Sequence, residues 1–282
     1  MKKNTLPPFS RRTFIQAGVL LSLAATLRGQ SKNTPPGAVT ATSRLNPKFF
    51  VGEDKPLRLA LVGCGGQGSW VINGMVAANE HGANCTVTAL CDPDADKAAK
   101  VFEKFPDAPQ YKDYRKLIAE KAGAFDAAII ATPDHMHFPI AMAMMQAGKH
   151  IYVEKPMAHT ITEVLKMKET ALKIGVVAEM GNHGNAFEGT RLQQEWIQAG
   201  LIGNVKEVHA WTNRPVWPQG VENWYPGQPV PETMDWNLWL GVSEKVPYNK
   251  AYAPFKWRGY FEWGAGAIGD MAVHSLDAPL RA

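Results

Sequence analysis

"LRLALVGCGGQGSW", Leu57 to Trp70, is the stretch on which the fold turns. Leu57 to Val62 is a short apolar run of strand type, stopped at once by Gly63-Cys64-Gly65-Gly66-Gln67-Gly68. From Ser69 to Asn79 the apolar residues recur at helical spacing. Strand, G-x-G-x-x-G and helix in this order are the context in which such a turn cradles a dinucleotide. Gly63 permits the tight turn, Gly65 lets the backbone approach a pyrophosphate, and Gly68 lets helix and strand pack closely. Gly66 and Gln67 complete the loop, and the helix N-terminus offers free N–H groups to the phosphates.

A glycine loop alone is equally well a plain turn, so the weight falls on the next strand. "CTVTALCDPD" reads as that second strand, ending at Asp92, at about the distance where an acidic residue meets the adenosine ribose. A carboxylate there accepts hydrogen bonds from the ribose hydroxyls and repels a 2′-phosphate, which favours NAD over NADP. Asp94 fits a helix cap better than that role.

Helical stretches near 94–105 and 114–122 then lead to the strand "FDAAIIATP". A helix around 139–147, the strand "HIYVEKP", a helix around 161–174 and the strand "GVVAEMG" come next. Near-continuous apolar strands separated by amphipathic helices indicate an α/β fold, a doubly wound parallel sheet of Rossmann type over residues 57–180. Ligands of such sheets sit at the carboxyl ends of the strands, where "ATPDHMH" and "VEKP" both fall. Lys155 at such an end can reach a nicotinamide cleft and stabilise the alkoxide-like state from which hydride leaves. Equally, Glu154 and Lys155 read as a solvated pair at a strand exit. Asp270 and His274, four apart, share a face if helical. A histidine can take a hydroxyl proton and a carboxylate can orient it, although such a pair is also an ordinary surface contact. His135, His137 and Asp134 have no further ligand cluster beside them, so no metal is expected.

Together the glycine loop, "ATPDHMH", "EKP" and "GAIGDMAVHSLD" resemble the Gfo/Idh/MocA oxidoreductase family, in the family's order and across residues 57–282. The resemblance implies that Lys155, Asp270 and His274 surround the reacting carbon of a sugar or polyol. It places Thr132, Pro133 and His135, with Glu154 and Lys155, beside the cofactor, and implies a cis Lys155–Pro156 bond. It also implies several further strands after His274. The expectation for residues 181–282 is therefore an incomplete α+β second domain in a C-terminally truncated chain, with "HAWTNRP" supplying one strand.

Seven of the nine tryptophans lie between Trp211 and Trp263, among prolines and tyrosines. That composition suits an ordered insertion that lines a carbohydrate cleft, or one that covers a sheet or an oligomer contact. A homo-oligomer of a full-length form stays open.

The N-terminus carries Lys2, Lys3, Arg11 and Arg12 before an apolar run to Leu27, which is secretory in length rather than membrane-spanning. Ser10-Arg11-Arg12-Thr13-Phe14 matches the twin-arginine export pattern. Residues 1–30 read as that signal, with an uncleaved tether as the alternative, and residues 31–56 as a linker or arm. Its partner is the twin-arginine export machinery and its destination the periplasm or another extracytoplasmic space. Of 30 basic and 26 acidic residues the signal holds five basic ones. The remainder is near neutral and gives no reason to expect nucleic-acid binding. Cys64, Cys85 and Cys91 read as small core residues.

The combined expectation is an NAD-dependent oxidoreductase acting on a sugar-like hydroxyl with a tightly held cofactor. Two alternatives accompany it: a redox-neutral NAD-dependent glycoside hydrolase, and a truncated, non-catalytic binder of NAD or sugar.

Overall fold

The apolar run at Leu57–Val62 forms the central strand, β1, and the glycine turn delivers the chain into helix α1, Gly66–Ala77. A computed structural model describes residues 45–49, 51–52, 54–221 and 223–281. The export signal expected in residues 1–30 lies outside the described residues. Among those described, no helix is long and apolar enough to cross a membrane.

Next come β2 (Cys85–Cys91), α2 (Ala95–Lys104), β3 (Gln110–Tyr111), α3 (Tyr114–Lys121) and β4 (Ala127–Ile130). After these the chain forms α4 (His137–Gln146), β5 (His150–Glu154), α5 (Ile161–Ile174) and β6 (Ala178–Gly181). All pairings are parallel, in the order β3-β2-β1-β4-β5-β6. This is the Rossmann-type, doubly wound sheet. Side chains alternate along each strand, so the two faces build separate cores. Ala60, Val62, Ile130 and Val153 pack with the methionines of α4, while Leu59, Leu61, Leu90 and Ile129 pack with Val71 and Ile72 of α1. Burial on both faces explains why these strands read as unbroken apolar runs.

Local chemistry sets the boundaries. Asp94 caps α2 by accepting from Lys97 N, and Thr160 with Glu163 forms a capping box at α5, which ends on Gly175 in the left-handed region. Helix α1 begins at Gly66 rather than Ser69, because its first turn is glycine-rich and shows no apolar periodicity. The described part of the arm docks on the sheet: Asn46 N donates to Gly175 O at 2.9 Å, and His150 Nε2 lies 2.8 Å from Phe49 O. Cys64 and Cys91 are buried, Cys85 is half-buried, and all three are free thiols.

After α6 (Glu188–Gln198) the chain runs without regular structure to a short α7 (Trp236–Leu240), then to α8 (Gly266–Ser275) and α9 (Asp277–Arg281). "HAWTNRP" is not a strand. Residues 204–216 are exposed and unpaired, and an extended segment needs a hydrogen-bonded neighbour to become one.

The tryptophans instead make a third core. Trp236, Trp239, Trp257, Trp263, Tyr252 and Tyr260 are all buried in it. Trp236 stacks on Trp239 with ring centroids 4.6 Å apart, and Tyr252 meets Trp263 edge-on at 5.1 Å. Indole N–H groups find carbonyl or hydroxyl acceptors: Trp236 on Val246 O, Trp257 on Pro254 O and Trp263 on Ser243 Oγ. Rings of this size bury apolar area without a regular scaffold.

This aromatic unit is fastened to the sheet at two strand exits. Beyond β2, Ala95 N donates to Thr233 O at 3.0 Å and Asp235 N to Pro93 O at 2.8 Å, around an antiparallel bridge between Asp94 and Met234. Beyond β4, His135 N donates to Trp263 O at 3.1 Å. Strands β2 and β4 flank β1, so residues 233–241 link the two sides of the glycine turn.

Candidate active site

Gly63 holds φ at 89°, and a Cβ there would come within 2.6 Å of the Ala131 backbone. A Cβ on Gly68 would overlap Gly63 O. These two glycines are required by close approach within the protein. Gly66 is different: a Cβ there would meet nothing within 4 Å, and no side chain caps the α1 N-terminus. An open glycine face with free amide donors at a helix start fits the pyrophosphate of a dinucleotide. Gln67 lies in the same first turn.

Asp92 follows β2 directly and is buried. Its Oδ2 accepts from Cys64 N at 2.7 Å and its Oδ1 from Asp94 N at 2.9 Å. Burial pushes its pKa up to about 6, against the pull of the donating backbone amides. Asp92 thus ties the glycine turn to the β2 exit, accepting from the backbone of Cys64, Gly65 and Asp94, and a carboxylate with about four acceptor sites has capacity left for a ribose hydroxyl. Asp94 is the α2 cap.

The strand exits on the other side of β1 converge on α8. Lys155 Nζ, just beyond β5, donates to Asp270 Oδ1 at 2.7 Å and to Asp270 O at 3.0 Å. Arg258 Nε lies 3.7 Å from the same carboxylate oxygen. His274, one turn along α8, is half-buried, and its pKa is held below the usual imidazole value. Desolvation is the main cause, followed by the nearby Lys155 and His183 charges, with Asp270 opposing them. Three residues expected together are therefore together, with one correction. The carboxylate of Asp270 is engaged by Lys155 and Arg258 rather than by the imidazole. A full ammonium charge makes the stronger partner for a carboxylate than a ring whose charged form burial disfavours. Asp134 completes the cluster, its Oδ2 accepting from Ala265 N at 3.0 Å. Burial raises its pKa, while His137, the Ala265 amide and Arg258 counter the rise.

The other residues expected at the cofactor divide between the cleft and the aromatic unit. Thr132 leaves β4 with its Oγ1 buried and without a protein partner, a polar group that a ligand can satisfy. Pro133 precedes the short turn Asp134–Met136. His135 faces the aromatic unit instead: its Nε2 is 3.2 Å from both Trp239 O and Leu240 O, its ring centroid is 5.6 Å from that of Trp239, and burial lowers its pKa to about 4. Its side chain joins the two parts of the chain. Glu154 is buried with Oε1 3.5 Å from the Tyr152 hydroxyl, against Gly181. His137 spans the β4 and β5 exits, its ring nitrogens 2.8 Å from Thr132 O and 2.7 Å from Pro156 O. The Lys155–Pro156 bond is cis. Among the described residues no three His, Cys, Asp or Glu side chains group as metal ligands.

Sequence reasoning missed Arg258, Asn182 and His183. Arg258 follows Trp257, and its guanidinium lies 4.2 Å from the centre of that ring. Cations flanking a tryptophan, Lys256 and Arg258, inside an aromatic run were the available signal.

Two family models match the chain. The Gfo/Idh/MocA oxidoreductase model described as an NAD-binding Rossmann fold covers residues 57–182, and the model of that family's C-terminal alpha/beta domain covers residues 193–281. A glycosyl hydrolase family 109 protein of Shewanella amazonensis is 33% identical over 174 residues, covering 57% of this chain and 36% of its own length. D-glucoside 3-dehydrogenase of Escherichia coli is 28% identical over 176 residues, covering 60% and 46% respectively. The chain thus spans less than half the length of these relatives. The WlbA dehydrogenase of Bordetella pertussis, solved with NADH and UDP-GlcNAcA, superposes with a TM-score of 0.57 at 24% identity, covering 78% of this chain and 53% of its own. It shares the fold.

Proposed function

The chain belongs to the Gfo/Idh/MocA oxidoreductase family, and from that premise we propose that it oxidises a secondary hydroxyl of a sugar, using NAD held at the Gly63–Gly68 turn. The observation that carries the reading is the partly buried Lys155–Asp270 ion pair, at the exit of the strand beside the cofactor cleft and next to a half-buried His274. NAD supplies the hydride acceptor. Lys155 keeps a donor on the substrate oxygen, so that negative charge developing there is stabilised in a site of low dielectric. Asp270, whose carboxylate Arg258 also approaches, fixes the ammonium in place. His274, whose charged form is disfavoured by desolvation and by the nearby Lys155, takes the hydroxyl proton as the C–H bond breaks. Asp92 at the ribose favours NAD over a 2′-phosphorylated cofactor.

A second reading, redox-neutral glycoside cleavage, is supported by the link from Thr233 to Gly241 across the glycine turn. Such a link would slow release of a nucleotide held at the Gly63–Gly68 turn and so let the protein reuse it. Hydride removed from the sugar returns to it after elimination of the aglycone and addition of water. The twin-arginine pattern agrees with a resident cofactor, because a protein exported folded carries its nucleotide with it. D-Glucosides and D-xylose, offered to the NAD-loaded chain, distinguish the readings. Net NADH formation supports the dehydrogenase, and sugar release without net NADH supports the hydrolase. Neither product from any sugar rejects both.

A further inference from the structure

Residues Lys256–Gly259 form a single turn inside the aromatic unit, and its two cations part ways. Lys256 is exposed. Arg258 turns inward, its guanidinium 4.2 Å from the ring centre of Trp257 and 4.7 Å from that of Phe255. Its Nη1 donates to Phe255 O at 3.2 Å, and its Nε lies 3.7 Å from Asp270 Oδ1, the oxygen to which Lys155 Nζ donates at 2.7 Å. The backbone is seated as closely as the side chain. A Cβ on Gly264, two residues before α8, would come within 2.7 Å of Arg258 Cα and O. Burial works against the guanidinium charge, while Asp270 and then Asp134 sustain it. A cation is costly to hold in such a place unless a fixed anion meets it. A flat guanidinium is the cation suited to it, because it packs on rings and still faces a carboxylate.

Resting on the oxidoreductase reading above, we propose that Arg258 is a positioning residue for the Lys155–Asp270 pair, and that the aromatic unit is the mount that delivers it. Two cations share one carboxylate oxygen, so neither holds it fully. Arg258 draws on the Asp270 charge, which eases the carboxylate's hold on the Lys155 ammonium and weakens the negative field that reaches His274. Two of the three ammonium donors go to Asp270, and the third stays with the substrate oxygen. His274 is faced by Lys155 from the β5 exit, by His183 from the turn after β6, by Arg214 from the 204–216 segment and by Asp270 from its own helix. Arg258 acts on it through Asp270. The tryptophan-rich stretch thereby sets a charge at the reacting centre as well as packing a core.

The test is an NMR titration of the His274 ring in the chain without nucleotide or sugar, for the parent, Arg258→Gln, Arg258→Lys and Lys256→Gln. Arg258→Gln should raise the midpoint by about half a pH unit, because one cation fewer then offsets Asp270. Arg258→Lys, which keeps the charge but loses the ring stacking, should move it the same way by less. Lys256→Gln makes the same charge change on the same turn at an exposed position and should leave the midpoint where it is. A melting curve on each variant checks folding, and Arg258→Lys decides alone if Arg258→Gln does not hold its fold. No rise in the Arg258 variants, or an equal rise in Lys256→Gln, overturns the assignment. With NAD and methyl glucoside, Arg258→Gln should lower kcat about tenfold at unchanged KM, and an unchanged kcat overturns the assignment as well. Absence of NADH formation by the parent rejects the oxidoreductase reading separately, since the titration is read without turnover.

Discussion

At the scale of single residues the chemistry rests on who holds Asp270. Lys155 takes its carboxylate at 2.7 Å and Arg258 approaches the same oxygen at 3.7 Å, leaving His274 to be tuned through space. Burial and the Lys155 ammonium both work against the imidazolium, while Asp270 works for it. NMR titration of the His274 ring should therefore give a midpoint below the ordinary histidine value. Lys155→Met should raise that midpoint and Asp270→Asn should lower it further. Movement in the same direction in both variants would show that the ring does not sense these charges. In the intact protein a depressed midpoint keeps His274 available as a base on the acidic side of neutrality. The Lys155 and His274 positions were legible in the sequence through motif order. The partner of Asp270 was not, because i, i+4 spacing says which residues share a helix face but not which distant charge arrives there.

At the scale of elements, β1, the glycine turn and α1 separate stability from binding. Gly63 and Gly68 are constrained by backbone atoms, whereas Gly66 faces open space. Gly68→Ala should destabilise the fold by about 2 kcal/mol or more, as a forced backbone shift does. Gly66→Ala, at the start of a helix, should leave the melting temperature within about 2 °C of the parent and still weaken NAD binding by crowding the phosphates. Comparable melting losses in both variants would contradict this division. The β–α alternation was readable because buried parallel strands and amphipathic helices carry different periodicities. The aromatic unit was not, since its order comes from rings packing on rings at no fixed sequence interval. Its tryptophans gave composition without position. The exposed 204–216 segment shows the converse: strand-like residues form no strand without a neighbour.

At the scale of the whole molecule the aromatic unit closes on the sheet at Pro93–Ala95 and at His135–Met136, one on each side of the cofactor turn. The structure suits a variant that loosens only the first fastening. Ala95 is the first residue of α2, where proline is tolerated, and Asp94 before it is already extended with ψ at 99°. Ala95→Pro therefore deletes the hydrogen bond to Thr233 O while sparing the helix. Release of bound NAD, measured by chase with unlabelled nucleotide, should be about five- to tenfold faster than in the parent, the worth of one such bond. An unchanged release rate would mean the link does not restrain the nucleotide. The central claim, that Lys155 stabilises the oxygen of a sugar carbon as its hydrogen departs, is met most directly by isotope transfer. The NAD-loaded chain is mixed with methyl glucoside deuterated on its ring carbons, and the nicotinamide is examined by mass spectrometry within a single turnover. The account predicts deuterium on the nicotinamide with the parent and at least about a hundredfold slower labelling with Lys155→Met, the scale of loss of one oxyanion donor. Equal labelling rates in the two proteins, or none in the parent, would contradict it.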